Sequence, residues 1–281
     1  MKFFIKLMLF LFITSYVFAG VVNHESFYAA HLQQNMKYNI YLPDNYKKNV
    51  KYPILYLLHG ASGNENDWAS VNYGNIGETA DKLIKNKSIP DIIIVMPDGF
   101  TDSWYIDSAV YQMESAIIDD LLPFIENKYS IEKNARYIAG LSMGGYGSLR
   151  FALLYPDYFK GAGLLSPAIY DPLPPENSSA RTTPVFHSNS KFDGGLWEKY
   201  NYTNYLDEYL YSNKQIPMYI VSGDDDVYNV EYYSTLLYEK LKANKKPSEL
   251  RIVNGGHSWD VWKDNIDEVL IYFFNKDSKH Q

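Results

Sequence analysis

The segment Gly140-Leu141-Ser142-Met143-Gly144 constrains this chain more than any other stretch. The apolar run Tyr137 to Leu141 leads into it, and Gly145 to Phe151 reads as a helix leaving it. A serine on so sharp a strand-to-helix turn has a strained backbone, and side chains at Gly140 or Gly144 would strike the neighbouring strand or helix. Such a turn needs a sheet to stand on. Further short apolar runs supply one: Tyr38 to Leu42, Ile54 to Leu58, Ile92 to Met96, Ala162 to Leu165, Met218 to Val221 and Leu250 to Val253. They alternate with stripes at helical spacing, such as Met113, Ile117, Ile118, Leu121, Leu122 and Ile125, or Trp262, Ile266, Val269, Leu270 and Phe273. The alternation predicts an α/β architecture, a mostly parallel central sheet with helices on both faces. Several runs are continuously apolar, as strands buried on both sides should be. Pro123 inside the first stripe predicts a kink or an early break.

Residues 167–217 depart from this pattern. They carry Pro172, Pro174, Pro175 and Pro184 and then Gly194-Gly195, without a strand signal. So long an interval between strands predicts an insertion after Ser166 with helices of its own. Because it leaves the sheet at the edge to which the serine is delivered, it is expected to border the site. Phe192 and Trp197 are its candidates for a substrate-binding wall, and Trp68 and Trp104 are the candidates on loops from earlier strands. No repeat or linker divides the remainder, so residues 20–281 are expected to form a single domain.

Serine is a weak nucleophile at neutral pH and needs a base that is itself oriented by a third group. Of six histidines, His257 alone follows the serine in a loop between the last apolar run and the last helix; His24 and His31 precede the predicted sheet and His59 ends an early strand. The acid should follow the strand Met218 to Val221, where Asp224, Asp225 and Asp226 are adjacent. Three neighbouring carboxylates cannot all be buried, so one faces the histidine and two are solvated. Their spacing lacks the alternation of a calcium loop. Charge developing on a substrate carbonyl calls for two backbone N–H donors. Met143, next after the serine, supplies one; Ala61, in His59-Gly60-Ala61-Ser62-Gly63, supplies the other. His59 then shapes the loop.

At the N-terminus Lys2 and Lys6 precede an apolar run, Leu7 to Phe18, too short to span a bilayer comfortably. It ends in Val17-Phe18-Ala19, so Met1 to Ala19 reads as a removed signal peptide and not a stable membrane anchor. The expected location is exported, periplasmic or extracellular. The chain has no cysteine, which excludes disulfides, a thiol nucleophile and thiolate metal sites. Without the two leader lysines, 24 basic residues face 33 acidic ones, a net −9 that repels phosphate backbones and argues against a nucleic-acid partner. No His-Glu-x-x-His motif is present, and no metal is expected.

Taken together, Tyr56-Leu57-Leu58-His59-Gly60 with Asn64-Glu65-Asn66-Asp67-Trp68, Met96-Pro97-Asp98-Gly99 with Ser103-Trp104-Tyr105, the Ser142 turn, and Gly255-Gly256-His257 with Trp262-Lys263 resemble the esterase D family of α/β-hydrolases. That family includes S-formylglutathione hydrolases, feruloyl, acetyl-xylan and tributyrin esterases and the antigen 85 mycolyltransferases. The resemblance runs from about Gln33 to Phe274. It implies an α/β-hydrolase fold, the acid at Asp226 with Asp225 as the fallback, an oxyanion hole at Ala61 and Met143, and no cofactor. The implied reaction is hydrolysis of a small-molecule, carbohydrate or lipid ester by a secreted serine carboxylesterase with a Ser142-His257-Asp226 triad. Acyl transfer to an alcohol through the same acyl-enzyme stays open. A non-catalytic binding protein on the same scaffold is the reading from another class, and the presence of every catalytic part speaks against it. The leader departs from the cytosolic S-formylglutathione hydrolases, and the insertion after Ser166 has no counterpart in those motifs.

Overall fold

The computed structural model describes residues 19–275. The signal peptide read from Met1 to Ala19 thus lies, Ala19 apart, outside the described residues. Ten strands and nine α-helices are found in the described part. The strands are β1 (Val21–Ala29), β2 (Gln34–Leu42), β3 (Tyr52–Leu58), β4 (Ile93–Pro97), β5 (Ile131–Leu141), β6 (Ala162–Leu165), β7 (His187–Ser188), β8 (Lys191–Phe192), β9 (Met218–Gly223) and β10 (Ser248–Val253). Eight of them form one sheet in the order β1-β2-β4-β3-β5-β6-β9-β10. From β4 to β10 all pairings are parallel, and β1 and β2 add an antiparallel edge. Helix α1 (Ile76–Lys85) crosses from β3 to β4, and α2 (Met113–Ser115) and α3 (Leu122–Lys128) lead to β5. Helix α4 (Met143–Leu154) leaves the Ser142 turn, α5 (Gly194–Tyr200) and α6 (Thr203–Tyr211) lie in the insertion, and α7 (Val230–Ala243) joins β9 to β10. Helices α8 (Trp259–Lys263) and α9 (Ile266–Phe274) close the chain. No helix among the described residues is long and apolar enough to cross a membrane.

The continuous apolar runs are explained by two cores. Ile54, Tyr56 and Leu58 point into one with α3, α4 and α7, and Leu55 and Leu57 point into the other with α1 and α9. Alternate residues of one strand thus serve opposite faces, as the two-residue strand period requires.

Three local features differ from expectation. Strand β1 departs from the expected runs, because as an edge strand it buries only Phe27 and Ala29 and leaves its other residues exposed or half-buried; His24 lies in it and not before the sheet. Pro123 neither breaks nor ends its helix. The chain between α2 and α3, Ala116–Leu121, takes up a π-helix in which the N–H of Leu122 reaches the carbonyl of Ile117, so a wider turn absorbs the proline. The final stripe is divided between α8 and α9, although its side chains still share one core.

The insertion has helices of its own and a two-stranded hairpin, β7 with β8. Asn201, donating from Nδ2 to the carbonyl of Tyr170 at 2.9 Å, ties the insertion to itself, and it is fastened to the rest of the domain where Thr183 Oγ1 donates to the carbonyl of Asp102 at 2.9 Å and where Arg150 of α4 donates to the carbonyl of Tyr200 at 3.0 Å. The same arginine pairs with Glu114 of α2 at 2.6 Å, which binds α4 to the strand β5 approach as well. The outer wall of the site is therefore held on the helix that starts at Ser142.

Candidate active site

Ser142 sits between β5 and α4 with φ 51° and ψ −116°, a region that costs on the order of 1–3 kcal/mol for a non-glycine residue. Its geometry is enforced from three sides. A Cβ at Gly140 would lie 2.5 Å from the backbone of Gly144, and one at Gly144 would lie 2.5 Å from the carbonyl oxygen of Leu58, so strand and helix can cross only where both are glycine. The N–H of Ser142 donates to Leu165 of β6 at 2.9 Å, and the N–H of Ala168 donates to the carbonyl of Ser142 at 3.1 Å. The strained turn is pinned by its neighbours.

His257 follows β10. Its Nδ1 is 2.6 Å from Asp226 Oδ2 and its Nε2 is 2.8 Å from Ser142 Oγ. A carboxylate only accepts, so Nδ1 carries the proton and Nε2 is left to accept from the serine hydroxyl. Tyr228 and Trp262 stand edge-on to the imidazole at 4.8 and 5.0 Å and limit its rotation. Asp226 is buried and its other oxygen, Oδ1, accepts from the N–H of Tyr228 at 3.0 Å. Asp224 and Asp225 are exposed, and Asp224 Oδ1 accepts from the N–H of Gly255 at 3.0 Å. Of the three carboxylates, Asp226 alone bonds to the histidine.

These groups open on a cavity of about 200 Å³. Ala61, Ser142, His257 and Trp104 are in its lining, and Met143 begins α4 directly beneath Ser142. Neither the N–H of Ala61 nor that of Met143 is engaged by an acceptor among the described residues. The second belongs to the first turn of a 12-residue helix, where the helix dipole favours negative charge. His59 is buried and forms the loop that carries Ala61: the N–H of Gly99 donates to its Nε2 at 2.9 Å, so its Nδ1–H donates to the carbonyl of Gly60 at 2.8 Å. Burial pulls the pKa of His59 below the ordinary histidine value, partly offset by its bond to Gly60 and by Asp67. Unfolding would free a ring that binds a proton near pH 6.5, so His59 withdraws stability as pH falls below about 6.5. In ¹⁵N NMR spectra its ring is expected to remain in the neutral Nδ1–H form at about pH 6; a charged ring there would contradict this hydrogen-bonding arrangement.

Of the four aromatic residues expected to bind substrate, only Trp104 lines the cavity. Trp68 is buried outside the lining, donating from Nε1 to the carbonyl of Leu58 at 3.0 Å and packing edge-on against the lining residue Trp259 at 5.1 Å. Trp197 is fully buried and braces Trp104 edge-on at 5.6 Å. Phe192 lies in the hairpin under the guanidinium of Arg181, 4.3 Å from its ring centre. The insertion reaches the cavity instead through Ala168, Tyr170, Ser178 and Ser179. Sequence reasoning also missed Tyr228, Trp259 and Trp262 as lining residues. Their signal was proximity in sequence, because each lies within five residues of Asp226 or His257. Asp67, another lining residue, has its carboxyl pKa raised, chiefly by burial.

A nucleophile turn after a parallel strand, with the aspartate and then the histidine following in chain order, defines an α/β-hydrolase with the arrangement of a serine hydrolase. The comparisons then identify the family. A family model described as Putative esterase matches residues 29–273, and the chain belongs to that family. Among curated relatives, the endo-1,4-beta-xylanase/feruloyl esterase of Xylanibacter ruminicola is 34% identical over 164 residues, 54% of this chain and 22% of that protein. The acetyl esterase of Caldicellulosiruptor saccharolyticus is 26% identical over 263 residues, 86% of this chain and 93% of the relative. The alignments to the first relatives span 22% to 27% of those proteins' lengths. Among solved structures, a ferulic acid esterase superposes with a TM-score of 0.79 at 24% identity, covering 92% of this chain and 98% of its own, a likeness of fold.

Proposed function

We propose that this protein is an exported serine carboxylesterase that hydrolyses acyl esters through a covalent acyl-enzyme. The observation that carries the reading is the unbroken hydrogen-bond chain from Asp226 through His257 to Ser142, opening on a cavity beside two unengaged backbone N–H groups. His257 takes the proton as Ser142 Oγ attacks the ester carbonyl, and Asp226 stabilises the imidazolium that forms. The N–H groups of Ala61 and Met143 receive the negative charge on the carbonyl oxygen. Collapse expels the alcohol, which leaves with the proton from His257. Water, deprotonated by the same histidine, then attacks the acyl-enzyme and releases the acid. No cofactor enters these steps.

The substrate proposed is an ester of a small or single-ring acid. A cavity of about 200 Å³ walled by Trp104, Tyr170 and Tyr228 suits an acetyl or an aromatic acyl group, and the relatives are named feruloyl and acetyl esterases. Rates measured over esters of graded acyl length, with acetylated sugars and a feruloyl ester included, test this. Short and aromatic acyl groups should lead, and turnover should not depend on an added alcohol acceptor. Preference for long chains, or acceptor-dependent turnover, would defeat the reading. Replacing Trp104 by Ala should alter the ratio between aromatic and acetyl esters by about 10-fold or more, the range of a changed apolar pocket contact. Phe192→Ala should leave that ratio unchanged, since its ring lies away from the cavity.

A further inference from the structure

At the start of the described chain, the backbone N–H of Gly20 donates to Asp81 Oδ1 of α1 at 2.8 Å. The same oxygen accepts from Tyr41 Oη at 2.7 Å. Gly20 cannot be exchanged for a larger residue: a Cβ there would stand 2.3 Å from the ring of Tyr41 and 2.7 Å from the carbonyl oxygen of Leu42. One residue later the chain enters β1, where Val21 pairs with Leu42. Position 20 is therefore held against Tyr41 and Asp81 by the register of the edge strand.

The surroundings are short of positive charge. Residues 19 and 20 lie along a surface groove whose lining includes Asp44 after β2, Glu78 and Asp81 on α1, and Asp91 before β4, against Lys82 and Lys85 on α1. Burial first, and then the bond to Asp81 and the charges of Asp81, Asp91 and Asp44, push the phenol of Tyr41 far above its ordinary value. Asp81 is thus a half-buried carboxylate in an acidic neighbourhood with two neutral donors.

We propose that Asp81 is a receptor for the α-amino group created when the leader is removed between Ala19 and Gly20. The proposal rests on the export reading above. Hydrolysis of that peptide bond consumes one water, leaves a carboxylate on Ala19, and converts the amide nitrogen of Gly20 to an amine that takes up a proton. The nitrogen already bonded to Asp81 becomes an ammonium, and a neutral hydrogen bond becomes a charge-assisted one, which is shorter and stronger. Glycine is required there for a reason independent of cleavage, namely the close approach to Tyr41, so the terminus is fixed in place when it appears. Maturation then stabilises the folded domain at a point remote from the catalytic cavity, with which this groove shares no lining residue.

The pH dependence has a definite sign. A free α-amino group titrates at about 7.7–8.0, and the carboxylate of Asp81 raises that value in the folded state. The extra stability is fully present below about pH 7.7 and is lost as pH rises through the raised value.

The test compares two chains released from the same cleavable fusion, one beginning at Gly20 and one retaining Val17 to Ala19. Each is made with the native Asp81 and as Asp81→Asn, which keeps the shape and removes the charge. At pH 7 the chain beginning at Gly20 should melt about 2–4 °C above the longer one. The gap should close at alkaline pH and be absent in the Asp81→Asn pair, with ester turnover equal in all four. Equal melting of the two native chains, or a gap that persists in the Asp81→Asn pair, would overturn the proposal. The intact mass of the protein exported from a host expressing the full chain separates this failure from failure of the export reading. A chain that stays in the cell with its leader attached overturns the export reading and the proposal with it, whereas an exported chain with a terminus other than Gly20, or a Gly20 terminus with equal melting, overturns the receptor role alone.

Discussion

Replacing Ser142 by Ala should lower kcat by about 10⁶, the loss seen when a nucleophile is removed from a serine enzyme of this kind. The size follows from what remains. His257 would still be neutral at Nε2 and bonded to Asp226, but no atom would be left to form the acyl-enzyme, and only the N–H groups of Ala61 and Met143 would assist direct attack by water. The fold should survive. The strain at Ser142 belongs to the backbone, which alanine shares, and the bonds that pin the turn use the N–H and carbonyl of residue 142, not its side chain. Melting temperature should therefore change by no more than a few degrees, while labelling by a fluorophosphonate disappears. Residual ester turnover above a few per cent in a folded Ser142→Ala protein would show that the reaction does not pass through this residue.

Why the serine turn is legible in the sequence, and the cavity wall is not, has a physical reason. Gly140 and Gly144 are demanded by contacts with backbone atoms, which no choice of neighbouring side chain can relieve, so the requirement is written at fixed positions. His257 is legible for a related reason, since it follows the serine in the chain and sits in the loop after the last strand of the sheet, at the edge where the serine stands. Asp226 was less so: Asp224, Asp225 and Asp226 are chemically equal as letters. They are distinguished by which one the turn after β9 buries beneath Tyr228. The aromatic wall is a tertiary fact. Trp104 and Trp197 meet edge-on, yet one faces the cavity and the other is sealed behind it, and no periodicity separates them because both lie outside regular strands of the main sheet. Trp104 itself has φ 53°, a left-handed conformation that loop packing imposes against the preference of a bulky residue. Strand β1 was hidden because an edge strand needs little apolar surface, and the π-helix before Pro123 was hidden because it is a response of the backbone to a residue that by local rules should end the helix.

Asp226→Asn should lower kcat by about 10⁴ while leaving the protein folded, and the neighbouring hydrogen bonds explain why so small a change has so large an effect. The N–H of Tyr228 donates to Oδ1 of residue 226, so an asparagine there must turn its carbonyl oxygen towards Tyr228 to avoid setting two donors against each other. Its amide NH₂ then faces Nδ1 of His257, the position that Oδ2 occupies in the native protein. A ring nitrogen facing that donor has to accept. The proton moves to Nε2, and Nε2 can no longer take the hydroxyl proton of Ser142, 2.8 Å away. The substitution therefore disables the base by selecting the wrong tautomer, with little movement of atoms. Asp224→Asn and Asp225→Asn serve as controls of equal charge change. Asp224 accepts one bond from Gly255, which an amide oxygen can also accept, and both residues are exposed, so each variant should keep kcat within a few-fold of the native enzyme. The measurement is kcat for the three variants beside the ¹⁵N chemical shifts of the His257 ring, which should report Nε2–H in Asp226→Asn and Nδ1–H in the other two. Comparable losses in all three would place the orienting acid elsewhere, and a loss confined to Asp226→Asn without the change of tautomer would mean that the carboxylate acts through its charge alone.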